Sequence, residues 1–380
     1  MRVLITAGIF PPDIGGPATF VPKIANYFQD ELNYEIEILT LSDPKNLNIN
    51  DNFSVKRINR NLPIIYRWLK TIFTIYKLGG NKDLIFVNGL GTEATIANIF
   101  LKKKIIRKIV GDPVWERAYS KAKIPENFDD FQLKNYGLSI SLQKKVRNFS
   151  INKSDIVITP SKHLKDFILN LGFKNKIKTI NNGVNIPNEN AKIFTNDQIN
   201  VTIVSRLVAH KNIEKIICAI LDLNNPLIKL NIIGDGPEQN QLQSISLRSD
   251  NKEKIIFHGK LNRDGINNIF LNSDIYIQAS NYEGLPHSLL EAMSYGIPVL
   301  CTPVGECKEL LGNEERGYLL DLPVSKDNIK SKINEIVSEK NIASIKGQEG
   351  KDFVSEKYNL PNTFNLYKSL FIKLLKEEHK

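Results

Sequence analysis

Two carboxylates eight residues apart, Glu283 and Glu291, stand in the stretch from Ser280 to Gly305. The residues between and after them spell out a helix. Leu285, Leu289, Leu290 and Met293 fall on one core-facing stripe, Pro286 suits a first helical turn, and Gly296 can end the helix in the left-handed conformation. Ile297 to Cys301 reads as a strand covered on both faces. Glu283 then lies at the mouth of the helix, about two turns before Glu291. Free N–H groups at that mouth favour an anion such as a phosphate. A carboxylate beside an anion site is suited to hydroxyls, and phosphate plus hydroxyls is the chemistry of a nucleotide sugar. The competing reading makes Glu283 a helix-dipole partner and Glu291 a solvated helix position.

Arg206 and Lys211 flank the loop that follows Val201–Val204, and a guanidinium with an ammonium five residues on can hold phosphate oxygens. No Asp-x-Asp occurs anywhere in the chain, so a divalent metal on a carboxylate pair is not expected, nor is any cofactor.

The run Glu283-Gly-Leu-Pro, followed at this spacing by Glu291-Ala-Met-Ser-Tyr-Gly-Ile-Pro-Val299, resembles the E-x7-E signature of retaining glycosyltransferases of family 4. The resemblance implies a GT-B fold: α/β, with two Rossmann-like doubly wound domains facing each other across a cleft. It assigns Arg206 and Lys211 to the leaving diphosphate, and Glu283 to the sugar hydroxyls or to steadying a cationic sugar. The backbone of Gly284, Leu285 and Pro286 orients the donor, and Glu291 binds its ribose. Further donor contacts are implied for Gly15 and Gly16, where family members place a Gly-Gly pair against the diphosphate, and for Ser205, Gly234 and Gly259. Many members carry a histidine near the donor sugar where this chain has Asp112. That departure leaves three roles open for Asp112: replacing the histidine in catalysis, contacting the acceptor, or capping the next segment. Front-face attack is implied in place of a protein nucleophile.

The elements needed to position these groups are legible as an alternation. Val3–Thr6 is a short buried strand, Gly8–Thr19 the loop after it, and a helix runs from about Ala18 to Asp30. The loop lacks the G-x-G-x-x-G spacing of a dinucleotide fingerprint. Strands at Glu35–Thr40, Leu84–Val87, Ile105–Val110, Asp155–Thr159 and Ile177–Ile180 continue the first half, with Ser161 placed to cap a helix. Ala118–Tyr136 has no clear period and reads as a mobile acceptor loop. Residues 186–199 are polar and irregular, as a linker is. The alternation then restarts with strands at Val201–Val204, Leu230–Ile233, Ile255–Phe257 and Asp274–Ile277. The expected division is 1–183, the acceptor domain completed by a helix at about 360–380, and 184–359, the donor domain.

The chain has 380 residues, 42% hydrophobic and 24% charged, the profile of an ordinary globular protein. Its net charge of +10 is lopsided: residues 1–190 hold 28 Lys/Arg against 17 Asp/Glu, and the remainder 23 against 24. The stretch Arg57–Lys77 interleaves basic and aromatic residues, and either lies on an anionic membrane surface or is a solvated face. Three cysteines make neither a disulfide framework nor a zinc site. With no signal peptide and no apolar run long enough for a bilayer, the expected location is cytoplasmic, with a peripheral position at the inner face of the cell membrane. The expected partners are a nucleotide sugar and a glycan or lipid-linked acceptor. Nucleic acid is excluded, because the basic residues are dispersed and no nucleic-acid-binding motif occurs. The alternative activity on the same fold is a sugar-nucleotide epimerase; a phosphorylase would need a pyridoxal lysine that the chain does not place.

Overall fold

The computed structural model describes residues 1–13, 15–48, 53–120, 124, 126, 128–195 and 197–376. The chain forms two compact units. The first comprises Met1–Val114, Leu133–Asn181 and the chain from Phe364 onward; the second comprises Trp115–Gln132 and Asn182–Thr363.

In the first unit seven parallel strands, β1 (Arg2–Ala7), β2 (Glu35–Ser42), β3 (Ser54–Asn59), β4 (Leu84–Asn88), β5 (Lys104–Lys108), β6 (Ile156–Thr159) and β7 (Lys176–Thr179), lie in the order 3-2-1-4-5-6-7. Val3 pairs with Ile36 on one side and Leu84 on the other. Helices cover both faces, so β1 and β4 are near-continuous apolar runs rather than alternating ones. The helices in this stretch of chain are α1 (Gly16–Asp30), α2 (Ile64–Gly79), α3 (Gly91–Leu101), α4 (Pro113–Ser120), α5 (Phe128–Leu133), α6 (Leu138–Asn152) and α7 (Lys162–Asn170). Ser161 caps α7 as the sequence predicts, its hydroxyl accepting from the Leu164 N–H at 3.2 Å.

The second unit has six parallel strands, β8 (Ile199–Val204), β9 (Ile228–Ile233), β10 (Ile255–Gly259), β11 (Ile275–Gln278), β12 (Val299–Cys301) and β13 (Tyr318–Leu319), in the order 10-9-8-11-12-13. Between and after them run α8 (Ile213–Leu221), α9 (Gln239–Leu247), α10 (Arg263–Leu271), α11 (His287–Ser294), α12 (Cys307–Leu311), α13 (Lys326–Ser338) and α14 (Lys340–Lys357). The last helix, α15 (Leu360–Lys376), buries Phe364, Tyr367, Leu370, Phe371 and Leu374. In the first unit Phe371 meets Phe28 with ring centroids 4.6 Å apart and Phe86 at 5.7 Å.

In each sheet the strand order reverses once, between β1 and β4 in the first and between β8 and β11 in the second. Chain connections leave opposite faces at such a point and open a crevice at the strands' carboxyl ends.

Three sequence expectations change. Ala118–Tyr136 is not simply a loop: it starts inside α4 and contains α5, because Trp115 with Ala118, and Phe128 with Phe131, are apolar pairs three residues apart that are all buried. Residues 121–123, 125 and 127 of that stretch lie outside the described residues. Pro286 is the residue before α11 rather than in its first turn. The strand expected from Ile297 begins at Val299, since Pro298 has no N–H to donate and only its carbonyl enters the ladder, accepting from Tyr276 at 3.0 Å.

Candidate active site

The reversal in the second sheet falls between β8 and β11, and the loops leaving those two strands carry the predicted charged residues. After Val204 the chain turns through Ser205 and Arg206. The Ser205 N–H donates to Ile233 O at 3.0 Å, and Gly234, at φ +130°, lies so close that a Cβ there would be 1.9 Å from Ser205 O. Only glycine fits, and the β8 and β9 loops meet backbone to backbone. Asn212, left-handed at φ 51°, sends its side-chain amide to Ala279 O at 2.8 Å and Asn281 Oδ1 at 2.7 Å. Asn281 N returns a bond to His210 O at 2.7 Å. These bonds hold the β8 and β11 loops together.

On that joined surface the Lys211 ammonium is ion-paired with the Glu283 carboxylate. Glu283 is nearly buried, and its Oε1 also accepts from Ser280 Oγ at 2.6 Å. Arg206 is exposed and, among the described residues, pairs with no carboxylate. His210 is buried, with its pKa pushed down to about 3 by loss of solvent and then by Lys211 and Arg206. The local charge is therefore one free guanidinium beside a balanced lysine–glutamate pair, a positive surface with a carboxylate at its edge.

α11 begins twelve residues before the neighbouring strand β12, and no side chain caps its first turn. Gly284 O accepts from Glu306 N at 3.4 Å, and the buried Leu285 packs in the core with Leu289 and Leu290. Glu291 is not a solvated position: its carboxylate accepts from Arg263 Nη1 at 2.6 Å, at the start of α10, and only 12% of its side chain is exposed. Gly259, at φ +63°, ends β10, and its carbonyl accepts from Gly234 N at 2.9 Å. Next to it His258 Nε2 shares a 2.8 Å bond with Asn231 Oδ1. Gly259, Gly234 and Ser205 thus line up across the ends of β10, β9 and β8.

The first unit holds the other candidates. Gly15 and Gly16 open α1 at the carboxyl end of β1, and a Cβ on Gly16 would meet nothing within 4 Å. Asp112 is fully buried, with Oδ1 accepting from Val114 N at 2.9 Å and Oδ2 ion-paired with Arg147. Of the three roles open to Asp112, the bond from Val114 N is the capping one, and the carboxylate is buried against Arg147.

Two features went unread in the sequence. Arg263, at the start of α10, reaches Glu291 on α11 from 28 residues away, a pairing made only in the folded chain. The second is an aromatic cover over the β11 loop: Phe128 stacks on Tyr282 at 4.6 Å, Trp115 lies 4.7 Å from the same ring, and Asn281 donates to the Tyr119 hydroxyl at 3.1 Å. The aromatic content of 115–128 was its only signal.

Residues 185–353 match the model of the family described as glycosyl transferases group 1. The match lies within the second unit, and the two Rossmann-like parallel sheets are those of the GT-B class. An uncharacterized glycosyltransferase of Methanocaldococcus jannaschii is 28% identical over 407 residues, covering 99% of each chain. The O-antigen biosynthesis glycosyltransferase WbnH of Escherichia coli is 28% identical over 372 residues, covering 95% of this chain and 96% of its own. Among solved structures, Anabaena Alr3699/HepE in complex with UDP and glucose superimposes with a TM-score of 0.78, covering 98% of this chain and 100% of its own at 18% identity, a likeness of fold.

Proposed function

We propose that the protein is a retaining glycosyltransferase that moves a sugar from a nucleotide sugar, UDP- or GDP-linked, to an acceptor hydroxyl of a lipid-linked or surface glycan. The observation that carries this reading is the coincidence of the second sheet's switch point with the joined loops bearing Arg206, Lys211 and Glu283. Such a crevice is where doubly wound sheets bind nucleotides, and its charges suit a diphosphate beside a polyhydroxylated ring. The O-antigen relative supports a glycan acceptor, and the UDP complex of the structural neighbour supports a uridine donor.

In this scheme Arg206 forks onto the diphosphate and Lys211 adds a second cation as negative charge grows on the leaving oxygen. No divalent metal is required for that task. Glu283, steadied by Lys211 and Ser280, accepts from the sugar hydroxyls, and the uncapped amides at the start of α11 face the donor. Glu291, oriented by Arg263, accepts from the ribose. Gly15 and Gly16, after β1, are glycines whose backbone a diphosphate can approach closely.

The test is incubation of the protein with UDP- and GDP-hexoses and a lipid-linked glycan extract. It follows nucleoside diphosphate release and reads the anomeric configuration of the product by NMR. Acceptor-dependent release with retention is expected. Conversion of one nucleotide sugar into another without release would instead establish the epimerase alternative, and release with inversion would remove the retaining mechanism.

A further inference from the structure

α2 is held to the first unit by a narrow seam. Only Thr71, Ile75 and Gly79 are buried, four residues apart on one row. The rows facing away from that seam would be polar on an ordinary surface helix. Here Ile65, Leu69 and Tyr76 form one exposed row, with Ile65 at 75% exposure. The adjoining row is Tyr66, Lys70, Phe73 and Lys77, with Phe73 at 67%. Lys70 Nζ lies 5.9 Å from the Tyr66 ring centroid. α2 contains no acidic residue.

The patch does not stop at one helix. α3 packs beside α2, and its Phe100 is 72% exposed and meets Tyr76 edge-on at 6.4 Å, with exposed Lys102 just beyond. On the other side of α3, α6 repeats the arrangement. Leu142 and Phe149 are exposed beside Lys145, and Lys153 Nζ is 5.8 Å from the Phe149 ring. Three neighbouring helices thus present apolar rows edged with lysine, far beyond the scattered apolar residues of a normal surface.

We propose that the face formed by α2, α3 and α6 docks on an anionic phospholipid surface. Charge decides the occupant. A second copy of this chain would set lysine against lysine, whereas a bilayer offers phosphates to the lysines and an acyl boundary to the apolar rows. Tyr66, Trp68 and Tyr76 have the amphipathic rings that settle at headgroup level. The face lies in the first unit, so the inference stands apart from the donor-site reading.

The experiment is co-sedimentation of the full chain with phosphatidylcholine vesicles containing about one-third phosphatidylglycerol, and with pure phosphatidylcholine vesicles. Two double variants are compared, Lys70→Glu/Lys77→Glu and Leu69→Ser/Phe73→Ser. All four positions are exposed, and unchanged melting temperatures establish that both variants fold. The expected result is binding to the anionic vesicles only, lowered about tenfold or more by the charge reversals and similarly by loss of the apolar pair. Equal partitioning of wild type and variants, or no binding to anionic vesicles, would overturn the proposal. So would a self-association in sedimentation velocity that Leu69→Ser/Phe73→Ser abolishes. Thermal shift with nucleotides on the same samples separates the two readings. A chain that binds nucleotide and ignores vesicles loses only this inference, and one that binds vesicles and no nucleotide loses only the donor site.

Discussion

Arg206 and Lys211 make different demands on the fold, and substitution separates them. Arg206 is exposed and pairs with no carboxylate among the described residues, so Arg206→Ala is expected to lower kcat by about 10²–10³-fold and leave the melting temperature unchanged. Lys211→Ala strips the ion-pair partner from a nearly buried Glu283, so both kcat and melting temperature are expected to fall. Nucleoside diphosphate release and differential scanning fluorimetry read the two effects. His210 supplies a pH signature. Its folded pKa, near 3, is below the ordinary value of 6.5, so between those limits the unfolded chain binds the extra proton. Stability from this group is complete above pH 6.5 and is lost as pH falls. From pH 6.5 to 5, before most carboxylates titrate, the melting temperature is expected to drop, and His210→Leu is expected to flatten that drop. At this scale the sequence carried the motif residues well, because Glu283 and Glu291 sit on one short loop–helix unit. It could not carry Arg263, or the burial of Asp112 against Arg147, because both depend on partners 28 and 35 residues away in the chain that only the fold brings close.

The elements that aim these side chains have weak points of their own. Gly305, at φ +56°, lies behind the β11 loop, and a Cβ there would be 1.9 Å from Glu283 O. Gly305→Ala is therefore expected to displace Glu283 and abolish transfer, while circular dichroism still shows the α/β fold. At the end of β5, Lys108 is buried with no hydrogen-bond partner among the described residues, its Nζ 3.1 Å from the Phe20 ring centroid, and burial holds its pKa well below the ordinary lysine value. With its folded pKa below the ordinary value, the unfolded chain binds more protons at this group than the folded one, so stability rises with pH toward about 10.4. Lys108→Met is expected to raise the melting temperature at pH 7, with the gain shrinking as pH approaches 10; thermal melts across that range check it. Buried parallel strands were legible as apolar runs. The edge strand β3 was not, since only Arg57 and Ile58 of its six residues are buried. α4 and α5 lacked a period because each is short and held by aromatic contacts with Tyr282 and His210 rather than by a long stripe.

The whole chain repeats one physical device: a parallel sheet that reverses its strand order and presents loops at the reversal. The second unit places Arg206, Lys211 and Glu283 at that point, and Glu291 on the helix that follows. The first unit carries Gly15 and Gly16 after β1, beside its own reversal, together with the lysine-edged apolar face. Among the described residues no helix is long and apolar enough to cross a membrane. The excess of basic residues in 1–190 was visible from composition alone, but which of them border exposed apolar rows was not, because exposure depends on how narrowly α2 is seated.

In the proposed donor site, Arg206 and Glu291 of the second unit hold a nucleoside diphosphate sugar. The measurement that tests it most directly is thermal shift of the full chain against UDP, GDP and their hexose conjugates, run with wild type, Arg206→Ala and Glu291→Ala. The predicted result is a rise in melting temperature with one nucleoside diphosphate and its sugars, lost in both variants. A rise of equal size in wild type and both variants would place the nucleotide elsewhere, and no rise with any member of the panel would contradict the donor site.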